Sequence, residues 1–93
     1  MYYWDKYYKK IYYTRKPSTF VKFLVKKKLI RKNNKIFELG CGDGRDSFYL
    51  AKNSRRILSV DKSKIIIKKN NQILKKSSIN NLIFKQTNLL DNN

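Results

Sequence analysis

The chain has no histidine, one cysteine, one proline and three glycines, and only six of its 93 residues are Asp or Glu. Each scarcity removes a class of chemistry. Without an imidazole there is no Ser-His-Asp or Cys-His catalytic unit. One thiol cannot form an internal disulfide, and with neither a second cysteine nor a histidine there is no zinc-ligand set. No metal centre is expected. No apolar run approaches the roughly 20 residues that cross a bilayer. The opening residues are aromatic and polar, unlike the basic-then-apolar form of a secretory signal. A reducing, cytoplasmic setting without membrane association is the expectation.

What the chain has in excess is cation: 23 Lys and Arg give a formal charge of +17. A surplus of this size binds polyanions, nucleic acid among them, through non-specific electrostatics. The chain is also rich in Asn and Ile, and Lys, Asn and Ile share AT-rich codons. Nucleotide composition alone therefore supplies lysines with no partner involved. Nucleic acid stays open as a partner.

Ninety-three residues make at most one small domain. Residues 2–13 place Trp4, Tyr7, Tyr8, Ile11 and Tyr12 on one helical face, with Lys6, Lys9 and Lys10 opposite. Aromatics beside lysines suit base stacking, but an amphipathic helix docked on a domain, or lying over its ligand, uses the same residues. The docked helix is the expected reading. Residues 15–19 break the pattern at Pro17, which disfavours helix before it and suits a helix start. A second helix is predicted over 18–30, burying Phe20, Val21, Leu24, Val25 and Leu29, then a polar turn over 31–35.

Short apolar strands are predicted at 36–39, 57–60 and 82–86, with helices at 45–52 and 63–77. Ser47, Phe48 and Ala51 face inward on the first of these helices. Ile66, Ile67, Asn70, Ile73 and Leu74 share one face of the second. Strands alternating with helices make a βαβαβ unit and a parallel sheet, and right-handed crossovers place the strands in spatial order 3-2-1. That is half of a doubly wound α/β fold, with residues 33–93 as its core and 1–32 as its N-terminal helices.

All three glycines fall in one stretch, Ile36-Phe37-Glu38-Leu39-Gly40-Cys41-Gly42-Asp43-Gly44-Arg45-Asp46. Glycine admits positive φ and close approach of a ligand to the backbone. In a sheet of this kind ligands bind at the carboxyl ends of the strands, beside the switch point. Glu38, Asp61 and Asn88 fall there. Asp61 ends the second strand about 20 residues beyond the turn, where a carboxylate accepts from ribose hydroxyls. The glycine spacing separates the ligand classes. A dinucleotide fingerprint is G-x-G-x-x-G, whereas here Gly44 comes one residue early and Arg45 stands in the third-glycine position. A phosphate-binding G-x-x-x-x-G-K-[ST] is absent. Glu38, just before the turn, suits a ligand with a cationic ammonium group rather than a pyrophosphate.

Glu38-Leu39-Gly40-Cys41-Gly42-Asp43-Gly44 resembles motif I of the class I S-adenosylmethionine-dependent methyltransferases, [E/D]-x-G-x-G-x-G. Val60-Asp61 resembles the acidic end of that family's second strand. Residues 84–91 resemble the segment after its third, with Asn88 where an Asp is common. An Asn there still accepts from the adenine amino group through its amide oxygen. The resemblance implies a Rossmann-like fold, S-adenosyl-L-methionine as cofactor and methyl transfer to a small-molecule acceptor. It implies that Gly40, Gly42 and Gly44 admit the methionine part, with Glu38 supporting the loop or the ammonium group. Asp61 would hold the ribose, and Lys62 and Asn88 would flank the adenine. Cys41 sits within this cradle as a small packing residue.

The family's substrate pocket and any catalytic base come largely from segments after the third strand. No catalytic residue is assigned here, and the expectation is a domain truncated after that strand, or one whose sheet a partner chain completes. Two other readings remain: a non-catalytic cofactor-binding remnant or subunit, and a basic nucleic-acid-binding protein.

Overall fold

The computed structural model describes residues 16–88. The aromatic helix expected over 2–13 and residues 89–93 lie outside the described residues. The order is α1 (Thr19–Lys26), β1 (Lys35–Leu39), α2 (Arg45–Lys52), β2 (Arg56–Asp61), α3 (Lys64–Lys75) and β3 (Leu82–Gln86). The strands are parallel, with β2 between β1 and β3, the expected order.

Helix α1 starts where Ser18 caps it, the Ser18 Oγ accepting the Val21 N–H at 3.2 Å. It stops four residues earlier than the hydrophobic pattern suggests. Lys28 takes a left-handed φ of 59°. The Leu29 N–H reaches back to the Leu24 carbonyl at 2.9 Å and the Lys28 N–H to the Val25 carbonyl at 3.0 Å. This is a Schellman ending, normally built on glycine. It carries Leu29 off the helical stripe, so Leu29 is 63% exposed. Phe20 stands 67% exposed beside a contact face centred on Val21 and Val25. The expected burial of Phe20 and Leu29 is therefore corrected. Lys28→Gly removes the left-handed strain and is expected to stabilise the fold by about 1 kcal/mol, seen as a higher urea midpoint.

Alternation along the strands sorts the sheet into two faces. Ile57, Leu82 and Phe84 lie on the face that meets α2 and α3, packed with Phe48, Leu50, Ala51, Ile66 and Ile67. Asn81 closes this layer, its amide donating to the Ala51 carbonyl at 2.7 Å at the end of α2. The other face carries a row Phe37–Leu58–Ile83, in register across the strands, with Leu39 beside it. Phe37, Leu39 and Ile83 are each more than half exposed.

Charge is sorted along the strand direction. The described acids, Glu38, Asp43, Asp46 and Asp61, all stand at or near the carboxyl ends of the strands, while Lys35 and Arg56 pair at the amino ends. Among the described residues no helix is long and apolar enough to cross a membrane.

Candidate cofactor site

The turn from β1 into α2 has three left-handed residues, Gly40 (φ 68°), Gly42 (φ 54°) and Gly44 (φ 79°). An L-residue with a Cβ is strained at each. The loop first runs along β2, where the Cys41 N–H donates to the Val60 carbonyl at 2.9 Å, and then closes with the Gly44 N–H on the Cys41 carbonyl at 3.0 Å. Gly44 has no side chain with which to cap α2. Asp43 takes part of that role, its Oδ1 accepting the Arg45 N–H at 3.1 Å.

The outer glycines face opposite environments. A Cβ on Gly40 would meet nothing within 4 Å. One on Gly44 would stand 3.1 Å from Phe84 Cζ, 3.3 Å from Phe48 Cε2 and 3.4 Å from Asn70 Cγ. Gly40 thus marks the open side of the loop. Gly44 marks its packed side, the task given to the third glycine of a dinucleotide turn.

Asp61 joins three elements. Its Oδ2 accepts the Gly42 N–H at 2.9 Å, and its Oδ1 accepts the N–H of Ser63, the cap of α3, also at 2.9 Å. Its backbone carbonyl accepts the Thr87 N–H at 3.0 Å just beyond β3. A carboxylate has about four lone-pair sites, so each oxygen can still accept one more donor. Lys62 and Asn88 are brought to the same rim by Gln86. Its Nε2 lies 3.2 Å from the Lys62 carbonyl and 3.3 Å from Asn88 Oδ1.

Glu38 sits beneath the loop, on the helix-facing side of the sheet. Its Oε1 accepts from Ser47 Oγ on α2 at 2.5 Å and from Ser59 Oγ, directly opposite on β2, at 2.8 Å. Burial raises its pKa above the ordinary 4.5. The two serine hydroxyls pull the other way, and the nearby negative charges of Asp46 and Asp43 add to the rise. A carboxyl that binds its proton more tightly when folded stabilises the fold below the ordinary pKa. That contribution is lost as the pH climbs through the raised value. Glu38→Gln keeps an acceptor for both hydroxyls. It is expected to melt higher than wild type at neutral pH and to lose less stability between pH 4.5 and neutrality; the reverse order in pH-dependent melts would contradict this.

Cys41 is buried, and burial, with Glu38 and Asp61 nearby, pushes its thiol well above the ordinary value of 9.0. It stays protonated at neutral pH and is no nucleophile.

Sequence reasoning did not assign Ser47, Ser59, Ser63 or Asn70 to the site. Asn70 had a signal, an amide inside an apolar stripe. Its Nδ2 donates to the Gly42 carbonyl at 2.8 Å. A further contact ties α1 to this region: Asp46 accepts both the N–H and the Oγ–H of Ser18, at 2.6 and 3.0 Å.

Solved structures share this architecture. Coclaurine N-methyltransferase bound to N-methylheliamine and SAH matches with a TM-score of 0.68 at 18% identity, over 80% of this chain and 22% of that one. A dimethyladenosine transferase from Plasmodium falciparum gives 0.68 at 17% identity, over 84% of this chain and 28% of that one. A structure described as the conversion of a disulfide bond into a thioacetal group during echinomycin biosynthesis gives 0.71 at 24% identity, over 82% and 30%. The chain spans less than a third of each. No curated protein matches it. The fold is the Rossmann-like fold of the class I S-adenosylmethionine-dependent methyltransferases, and the chain carries its N-terminal half. Within that class the chain belongs to the TehB family: the model described as tellurite resistance protein TehB matches residues 1–93.

Proposed function

We propose that this chain forms the S-adenosyl-L-methionine-binding part of a cytoplasmic methyltransferase acting on a small-molecule acceptor. One observation carries the cofactor assignment: a glycine loop with an open side at Gly40, held at Gly42 by a carboxylate that keeps lone pairs to spare. These residues fit the cofactor. The Gly40 to Gly42 backbone would receive its methionine part, Asp61 the ribose hydroxyls, and Lys62 and Asn88 the adenine. Glu38, bonded to Ser47 and Ser59, would support the loop from below and place negative charge near the ammonium group. The bound cofactor supplies an electrophilic methyl group on a sulfonium. The chain's own contribution is to fix that group in position for in-line attack. None of the described residues is assigned as a base.

A small acceptor is supported by the family, whose description concerns resistance to tellurite, a small oxyanion. A nucleic-acid acceptor is the second reading, favoured by the +17 charge and by the exposed cations Lys35, Arg55 and Arg56 at the amino ends of the strands. Calorimetry with S-adenosylmethionine and its demethylated product tests the cofactor assignment, and no heat of binding from a folded chain overturns it. Transfer of a labelled methyl group to a pool of small acceptors rather than RNA supports the first reading. Binding without transfer to either pool points instead to a non-catalytic subunit or remnant, with a partner chain completing the sheet.

A further inference from the structure

Gly42 is held from both sides. Asp61 takes its N–H, which restrains the peptide preceding it, and Asn70 takes its carbonyl, which restrains the peptide following it. Glycine has the widest dihedral freedom of any residue, so these two bonds select one conformation from many. Asn70 reaches the loop from α3, 28 residues further along the chain. It also lies against the Gly44 position, its Cγ 3.4 Å from where a Cβ would stand. One side chain thus touches two of the three glycines.

Asn70 is a costly choice for that place. It is fully buried within the helical face that carries Ile66, Ile67, Ile73 and Leu74, and its Oδ1 has no hydrogen-bond partner. A buried amide oxygen lacking a partner is destabilising, whereas a leucine, branched at the same atom though bulkier, would extend the apolar stripe. The one bond the amide makes is to the loop, where its Nδ2 donates to the Gly42 carbonyl.

We propose that Asn70 is a positioning residue, which fixes the Gly42 carbonyl and so presents the open side of the glycine loop in the form that receives the methionine end of the cofactor. The proposal rests on the reading of this loop as the S-adenosylmethionine cradle. Asn70 acts through the loop, by its bond to the Gly42 carbonyl.

The test uses the full chain with Asn70→Leu and Asn70→Asp. Leucine removes the polar group. Aspartate keeps the shape of asparagine but offers no donor when ionised, and sets a second acceptor against the Gly42 carbonyl. Three quantities are read: thermal midpoint, hydrogen exchange of the Gly42 and Asp43 amides without ligand, and affinity for the demethylated cofactor. Asn70→Leu sheds the unpaired oxygen but also the bond to the Gly42 carbonyl, so its melting temperature is expected to stay close to that of wild type. Its loop amides should nevertheless exchange faster, and its affinity should fall about tenfold, the equivalent of one hydrogen bond of typical strength. Asn70→Asp should fall further. A purely structural role predicts the opposite pattern, with midpoint and loop exchange moving together and affinity unchanged, and that pattern overturns the proposal. If Asn70→Asp does not fold, Asn70→Leu decides alone. If wild type binds neither form of the cofactor, the cradle reading fails, and ligand-free exchange at Gly42 still shows whether Asn70 holds the loop.

Discussion

Gly44→Ala is expected to cost about 2–5 kcal/mol of folding stability, whereas Gly40→Ala costs about 1–2 kcal/mol from backbone strain alone. Both glycines have a left-handed φ, so the strain is common to them. The surroundings differ. The new methyl at Gly44 would be wedged between Phe48 and Phe84, whose rings already pack with centroids 5.5 Å apart, and against the buried Asn70. Neither ring is the loose end of a flexible chain, so both must give by a few tenths of an ångström against a packed core. A domain of this size has a total stability near the low end of about 5–15 kcal/mol, so Gly44→Ala should be largely unfolded under mild denaturant. Urea titration followed by circular dichroism reads the contrast. Equal losses at the two glycines would show that the packed and open sides of the loop have been misassigned. Ligand binding should rank them the other way: a folded Gly40→Ala places its methyl on the open side and should bind the cofactor poorly.

Asp61→Ala is expected to lose about 2–4 kcal/mol of stability, because two backbone donors lose a charged acceptor at once. Those donors are the Gly42 N–H and the Ser63 N–H, so the change loosens the glycine loop and removes a support from the start of α3. The loop is partly open to water, which replaces some of the loss and sets the lower end of that range. On the proposed function the same substitution also removes the ribose contact, and affinity for the cofactor should fall about 100-fold or more. Asp61→Asn separates the two roles. It keeps one acceptor oxygen but turns an amide group toward the other donor, so its stability should lie between wild type and alanine. If Asp61→Ala binds the cofactor as wild type does, the ribose assignment is wrong.

The strands, α2 and α3 are written locally, in short β-branched runs and in serines or glycines at helix starts, and each lies within a few residues of where the pattern places it. The end of α1 is not, because the left-handed residue that ends it is Lys28 and carries none of the usual glycine signal. Most of the polar scaffold beneath the loop is invisible for another reason. Glu38, Ser47 and Ser59 are separated by 9 and 21 residues, and only the strand register and the crossover of α2 bring them together. Asp61 is legible as an acid that ends a strand. That it clamps the loop is not, because the Gly42 N–H, 19 residues earlier, reaches it only through the fold.

The apolar row of Phe37, Leu58 and Ile83, which crosses the sheet from the edge strand β1 to β3, has a colloidal consequence. Among the described residues β1 pairs only with β2, and an open edge flanked by exposed apolar side chains is a template for association. Opposing it is self-repulsion: every copy carries +17, and like-charged molecules keep their distance until salt shortens the reach of their fields to about 8 Å at physiological strength. The lysines therefore act as a dispersant whatever else they bind. Raising the ionic strength, which screens that repulsion and leaves the apolar row in place, is therefore expected to bring copies of the chain together, read as light scattering that rises with salt.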